Sequence, residues 1–448
     1  METTNKSLTE GNIYKSLLVF AIPFLVANFI QALYGAVDMA IVGWFGNSAS
    51  ISAVSIGTQV MQILNSLISG LTMGGTILIA QYFGAEKEKE TVETISTMLT
   101  LFVLFAVGFT IFMLFLTTPF LKALKTPIEA FSGAKEYVMI CSSGILFIFG
   151  YNGISAMLRG IGDSKSPMIF ILVACITNII LDLILVGGFK LGPKGAAIAT
   201  IASQGVSMFL AIFYLTKKDF IFKFRFKNFR IYKDKAKKLI NLGIPVSLQE
   251  TMLSLSFLFI TAIINTLGVV PAAAVGIAGK FDMFAMLPAI AFSGAIASIA
   301  AQNIGANKPE RARKALNASM LLSFLCSIGF FIWAQVSAES IMHMFKADAE
   351  VTLAGVQYMR TFSIDFMLVA FGFCQNGFLN GCGKTRFTMA NGILASLLIR
   401  VPLAYVLSIY IPESLLGIGL AAPIATSISV IISFIYIRSG KWKHSCIE

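Results

Sequence analysis

The sequence predicts an all-α integral membrane protein: twelve transmembrane helices in two six-helix lobes, related as a parallel internal repeat by a pseudo-two-fold axis. Three observations carry this. Of 448 residues, 57% are hydrophobic and only 12% charged, about half the ~25% charge of a soluble globular chain, so there are too few solvating groups to cover several soluble domains. Apolar stretches long enough to cross ~30 Å of hydrocarbon recur along the whole chain. The two halves also align on each other at an offset near 221 positions. Disorder, a disulfide scaffold and an ordinary cytosolic enzyme are excluded.

The expected spans run approximately over 16–42, 51–80, 93–118, 137–158, 167–189, 195–216, 239–267, 273–300, 315–338, 352–379, 387–410 and 416–438. Lipid offers no partner to free backbone N–H and C=O groups, so each must be helical. Residues 1–15 mix Lys6 and Lys15 with Glu2 and Glu10, and the apolar run that follows is too long for a cleaved signal. It therefore reads as the first span.

The net charge of +12 raises nucleic acid as a partner, but its placement argues for topology. The N-terminus, even-numbered loops and C-terminus carry 25 of the 34 Lys and Arg, the odd-numbered loops 6, and Lys280, Arg360 and Arg400 fall inside spans. Both termini are thus expected in the cytoplasm, with the lipid bilayer and no nucleic acid as the partner surface. Ten of these cations lie in 217–238 among Phe220, Phe222, Phe224, Phe226 and Phe229, which reads as a linker along anionic headgroups with its rings in the interface. Cys141, Cys175, Cys326, Cys374, Cys382 and Cys446 have no metal-site spacing, and only His343 and His444 are present. The cysteines read as small hydrophobes, and no cofactor or His-based catalytic centre is expected.

The duplication rests on ordered landmarks. Ile22-Pro23 falls on Ile244-Pro245, Ala80-Gln81 with Gly84-Ala85 on Ala301-Gln302 with Gly305-Ala306, Leu158, Gly160 and Gly162 on Leu379, Gly381 and Gly383, and Ala199-Thr200 on Ala425-Thr426. The expected division is an N-terminal lobe over 1–216, a basic cytoplasmic linker over 217–238, a C-terminal lobe over 239–438 and a cytoplasmic tail over 439–448. Six spans per copy make the repeat parallel, an architecture with a cleft that opens to either side by rocking. Gly84 and Gly305 read as helix C-caps, Pro23, Pro245, Pro167 and Pro288 as bends, and Gly160-Ile161-Gly162 as a turn.

Ionisable groups inside spans cost about 2.5–3.5 kcal/mol each on insertion scales, so they default to functional candidates. In the first span Asn28, Gln31, Tyr34 and Asp38 follow helical spacing; Asn178 and Asp182 are four apart in the fifth, and Thr200, Ser203, Gln204 and Ser207 share a stripe in the sixth. Two carboxylates, an amide and a hydroxyl form the all-oxygen set that a hard cation such as Na⁺ prefers. Two carboxylates sharing a low-dielectric site resist double ionisation, which makes a proton the other candidate. The repeat carries Asp38 onto Phe259 or Ile260 and Asp182 onto Leu403 or Ala404, so the fold itself does not require the pair. Glu250, Lys280, Asp282, Asp365 and Arg400 form a looser group in the second copy, read as structural ion pairing or as coupling and substrate contacts.

These residues resemble the multidrug and toxic compound extrusion (MATE) transporters, in their DinF-like bacterial branch. The resemblance rests on Thr9-Glu10-Gly11, Ile22-Pro23, Tyr34-Gly35-Ala36-Val37-Asp38 through Val42-Gly43, Ala80-Gln81-Tyr82-Phe83-Gly84-Ala85 and Leu158-Arg159-Gly160-Ile161-Gly162-Asp163. It continues through Asn178 to Asp182, Gly195-Ala196-Ala197 with Ala199-Thr200, and Arg400-Val401-Pro402-Leu403-Ala404. It implies a twelve-helix antiporter that exports organic, often cationic, small molecules against Na⁺ or H⁺. The coupling cation is then placed at Asp38, Asn178, Asp182 and Thr200, with a backbone oxygen of Ala196. Glu250 and Asp365 match the acidic positions of another branch only by span.

The expected protein is therefore a cation-coupled multidrug antiporter and not an enzyme, multi-pass in a bacterial inner (cytoplasmic) membrane and monomeric. The alternatives are a lipid-linked saccharide flippase, a membrane enzyme acting on lipid intermediates, and a channel.

Overall fold

The computed structural model describes residues 8–217, 220–224, 226–410 and 415–447, with the side chain of residue 226 not among them. Residues 1–7 with Glu2 and Lys6, part of the basic linker, residues 411–414 and residue 448 lie outside the described residues. Helices dominate, and among the described residues there is no strand. Ten helices, counting unbroken stretches, are long and apolar enough to span a membrane. Two further pairs are bent, by 49° at Ser143–Ile145 and by 42° at Phe362–Ile364. Counting each pair as one span gives the expected twelve, and the two breaks occupy equivalent positions in the repeat.

Contacts divide the chain into two units. Among the described residues, the first comprises Val26–Ile244, the second residues 8–25 and those from Pro245 onward. Helix α1 (Ile13–Phe45) starts in the second unit and ends in the first, whereas α8 (Lys233–Asn265) does the reverse. Each changes unit within three residues of its internal proline, Pro23 or Pro245. Proline removes one backbone donor and crowds the preceding turn, so both crossings sit where the helix is easiest to bend. The expected lobe boundaries at 1–216 and 239–438 therefore shift.

Within the first unit, α2 (Ser48–Gly84) is the most enclosed helix, flanked by α3 (Glu88–Ala123), the bent pair α4 (Ile128–Ser143) and α5 (Ile145–Gly160), and α7 (Gly192–Lys217), with α6 (Lys165–Asp182) packed on α7 and α5. A π-helical turn, Leu183–Gly188, continues α6. Small residues set the closest approaches: a Cβ on Gly74 would stand 2.7 Å from the Gly243 backbone, and one on Gly160 would stand 2.8 Å from Ile79. The two glycines of the expected turn have separate roles. Gly160 permits close packing, and Gly162 adopts φ +98°, a conformation that suits glycine. Gly84 is no C-cap in the left-handed conformation: that turn is completed two residues later by Glu86, as Asn307 does after Gly305, each at φ 57°.

The linker packs against protein. Ser96 Oγ contacts the carbonyls of Asn228 and Arg230 and accepts from the Arg230 N–H at 2.9 Å. Phe222 is 1% exposed and meets Phe224 and Phe229 edge to face. The expectation that its rings lie in the lipid interface fails for Phe222, because the protein itself supplies the apolar surroundings. Lys235 is held by Tyr82 Oη at 3.1 Å and by Asp234 at 3.1 Å.

The second unit contains α9 (Val269–Ala285), α10 (Leu287–Gly305), α11 (Pro309–Val336), the short α12 (Ala338–Met344), the bent pair α13 (Ala349–Phe362) and α14 (Ile364–Gly381), and α15 (Thr385–Ile393). A π-helical turn, Leu394–Arg400, leads into α16 (Val401–Tyr410) and α17 (Leu416–Arg438). One of its cores joins Leu8, Leu17, Phe20 and Ala21 to Phe292, Ile296, Leu316, Phe378 and Trp442. That apolar burial explains why the start of the chain belongs here. Gln302 Oε1 accepts from the Leu8 N–H at 3.0 Å and Asn303 Nδ2 donates to the Leu8 carbonyl at 3.2 Å, which fastens the same segment. The tail segment is anchored too, since Trp442 is fully buried and its indole N–H donates to the Ile437 carbonyl at 2.7 Å.

Candidate cation site

Three helices of the first unit bring six of the candidate residues together. Tyr34 and Asp38 lie one turn apart on α1, Asn178 and Asp182 one turn apart on α6, and Thr200 and Ser203 on α7. The Tyr34 hydroxyl is 3.2 Å from Ser203 Oγ and interacts with Thr200, Asp38 and Asp182. Asp38 and Asp182 are electrostatic neighbours, and Asn178 adjoins Asp182. Asn178 and Asp182 are fully buried and Asp38 nearly so. Asp182 is the last residue before the π-helical turn, whose wider backbone sits where such turns recur at functional sites.

The polar atoms here are under-satisfied. Among the described residues, Asp38 Oδ1, both oxygens of Asp182, both amide atoms of Asn178 and Thr200 Oγ1 are buried neighbours that make no hydrogen bond of ordinary geometry. Leaving such atoms unpaired costs about 1–3 kcal/mol each, and more when charged. Five of the six are oxygens, a donor set that fits a hard monovalent cation or a shared proton. Ala196 is buried one turn before Thr200 on α7.

The remaining candidates of this unit stand at the edge or apart. Asn28 is half-buried with Nδ2 unpaired, Gln31 is exposed and Gln204 is half-buried. Sequence reasoning missed Tyr137 and Cys141 on α4, both electrostatic neighbours of Asp38. Gly57 makes room for the Tyr137 ring, since a Cβ there would meet Tyr137 at 2.4 Å. Thr58 Oγ1 then reaches the Tyr137 hydroxyl at 3.4 Å.

In the second unit, Asp282, Asp365 and Arg400 are buried within electrostatic reach of one another, but none forms an ion pair among the described residues. Lys280 is exposed, its ammonium 5.5 Å from the Phe345 ring centre. Glu250 is half-buried and also has no ion-pair partner among the described residues.

A family model described as MatE matches residues 23–184 and, a second time, 245–406. The chain belongs to the MatE family. Its two matched stretches begin at Pro23 and Pro245, so the family unit is the duplicated element, and the chain is a membrane transporter rather than an enzyme. This MatE chain is 27% identical over 435 residues to the probable multidrug resistance protein YpnP of Bacillus subtilis (strain 168), covering 97% of each. It is 26% identical over 456 residues to the probable multidrug resistance protein NorM of Thermotoga maritima, covering 97% of this chain and 94% of that one. Among solved structures it is similar to the outward-facing conformation of a multidrug resistance MATE family transporter of the MOP superfamily. The TM-score there is 0.92 at 23% identity, with 99% of this chain and 100% of the other covered. At that identity the likeness is one of fold.

Proposed function

We propose that this MatE protein is a multidrug efflux antiporter that exports organic, often cationic compounds in exchange for inward Na⁺ or H⁺. The observation that carries the reading is the pair of buried, under-satisfied carboxylates Asp38 and Asp182 in the first unit. An offset of 222 places Ile260 and Ala404 at their repeat positions, so the pair is an addition to the duplicated fold. Relatives named as probable multidrug resistance proteins support the export of small molecules.

In this mechanism Asp38 and Asp182 take the coupling cation with Asn178, Thr200 and the Ala196 carbonyl, while Tyr34 and Ser203 hold the cluster together. Alternating access then releases the cation inward and the substrate outward. One charge moving through ~100 mV supplies about 2.3 kcal/mol, and a tenfold gradient adds about 1.4 kcal/mol, together enough for a substrate gradient of several hundredfold. In this reading the chain works as a monomer in a bacterial inner membrane, and the 25 to 6 division of its loop cations supports placing both termini in the cytoplasm. Dye efflux from proteoliposomes under separately imposed Na⁺ and pH gradients tests the coupling. A dye flux that ignores both gradients would overturn it.

A further inference from the structure

Four carboxylates are buried among the described residues, two in each unit: Asp38 and Asp182 in the first, Asp282 and Asp365 in the second, none more than 6% exposed. Their surroundings differ in one respect. Among the described residues no Lys or Arg is an electrostatic neighbour of Asp38 or Asp182, whereas Asp282, Asp365 and the buried Tyr358 all lie in the field of Arg400.

The repeat gives this arginine a definite counterpart. The matched stretches 23–184 and 245–406 stand 222 positions apart at both ends, and that offset carries Asn178, the neighbour of Asp182, onto Arg400. A position that serves the cation site of one unit is thus held by a fixed cation in the other.

The guanidinium is placed for its charge more than for its hydrogen bonds. Arg400 is 9% exposed and makes no hydrogen bond or ion pair among the described residues; its guanidinium carbon lies 4.5 Å from the centre of the Phe257 ring. An arginine that ties helices together does so by bidentate pairing with a carboxylate. Here the ring face holds the group, and its charge acts on Asp282 and Asp365 through surroundings in which a charge reaches further than in water.

Charge balance completes the comparison. With both carboxylates ionised, the second unit's arginine leaves one negative charge there. The first unit reaches the same balance only when a monovalent cation has entered. Buried carboxylates without a cation are costly, so the arginine removes the need for a mobile one. We propose that Arg400 is the resident cation of the second unit, filling by covalent tether the place that a mobile coupling cation takes at Asp38 and Asp182, so that the transporter has a single coupling-cation site. The comparison with the first unit rests on the antiporter reading.

The test removes the first unit's carboxylates and follows thermal unfolding of the purified full chain, so its outcome does not depend on whether efflux is coupled. In Asp38→Asn/Asp182→Asn protein, methylguanidinium from about 1 to 100 mM, exchanged against choline at constant ionic strength, should leave the midpoint unchanged. Adding Arg400→Ala should lower the midpoint and free the place of the guanidinium, which borders a cavity of about 110 Å³. Methylguanidinium, and not choline, should then raise the midpoint by several degrees over the same range, because a ligand bound only by the folded state stabilises it. Asp282→Asn/Asp365→Asn should abolish that rise. Should the alanine variant fail to fold, Arg400→Gln fills the space without the charge and should show the same rise, while Arg400→Lys keeps a tethered cation and should show none. A methylguanidinium response while Arg400 is still present, no response in either uncharged variant, or a response that survives loss of Asp282 and Asp365 overturns the proposal.

Discussion

The hydroxyl of Tyr34 on α1 lies 3.2 Å from Ser203 Oγ on α7, and Ser203 spends its single proton on the Thr200 carbonyl at 2.8 Å. Tyr34 must therefore be the donor to Ser203, which leaves its oxygen lone pairs directed into a cluster with two carboxylates.

Tyr34→Phe removes that donor and the oxygen. A net hydrogen bond contributes about 0.5–1.5 kcal/mol, so the cation concentration giving half-maximal efflux should rise about two- to tenfold while the protein stays folded. An unchanged half-maximal concentration would remove Tyr34 from the site.

Gly57→Ala should act at a distance of one helix. Its Cβ would meet the Tyr137 ring at 2.4 Å, a clash costing about 1–3 kcal/mol that displaces the ring from its place beside the site. A lower thermal midpoint with reduced efflux is expected. Equal midpoints would mean that the ring is free to move.

Gly74→Ala offers a harsher test, because the neighbour is the backbone of Gly243 at 2.7 Å rather than a movable side chain. Destabilisation should be at least as large as for Gly57→Ala, and fluorescence-monitored thermal unfolding reads it directly. A milder effect would contradict the close contact of α2 with α8.

Ser96→Ala should loosen the linker, whose backbone at Asn228 and Arg230 depends on that hydroxyl. Limited trypsin digestion should then cut between 223 and 233 several times faster than in the wild type. Equal rates would show that burial of Phe222 alone holds the segment.

Much of this molecule was legible in its residues. Span count follows from hydropathy, and the repeat from Ile22-Pro23 and Ile244-Pro245, because the physics of lipid and of duplication acts on every residue. The grouping of Asp38 with Asn178, Asp182 and Thr200 was legible because buried charge is rare and helical spacing gives each pair a face. Tyr137 was hidden because an aromatic in an apolar span has an ordinary core explanation, and only Gly57 with the fold around it aims the ring. The packing of residues 8–25 with the second unit was not legible, because hydropathy marks where a helix lies, not which neighbours bury Leu17 and Phe20. Trp442 escaped notice for the same reason: a tail of mixed polarity reads as solvated until a partner such as Phe378, 4.8 Å between ring centres, is known.

The central claim is that Asp38 and Asp182 carry the coupling cation. The most direct measurement is dye efflux from proteoliposomes under an imposed Na⁺ or pH gradient, for the wild type and for Asp38→Asn and Asp182→Asn. The account predicts gradient-driven efflux in the wild type and at least a tenfold loss in each variant, with both variants still folded. Undiminished gradient-driven efflux in both variants would contradict it.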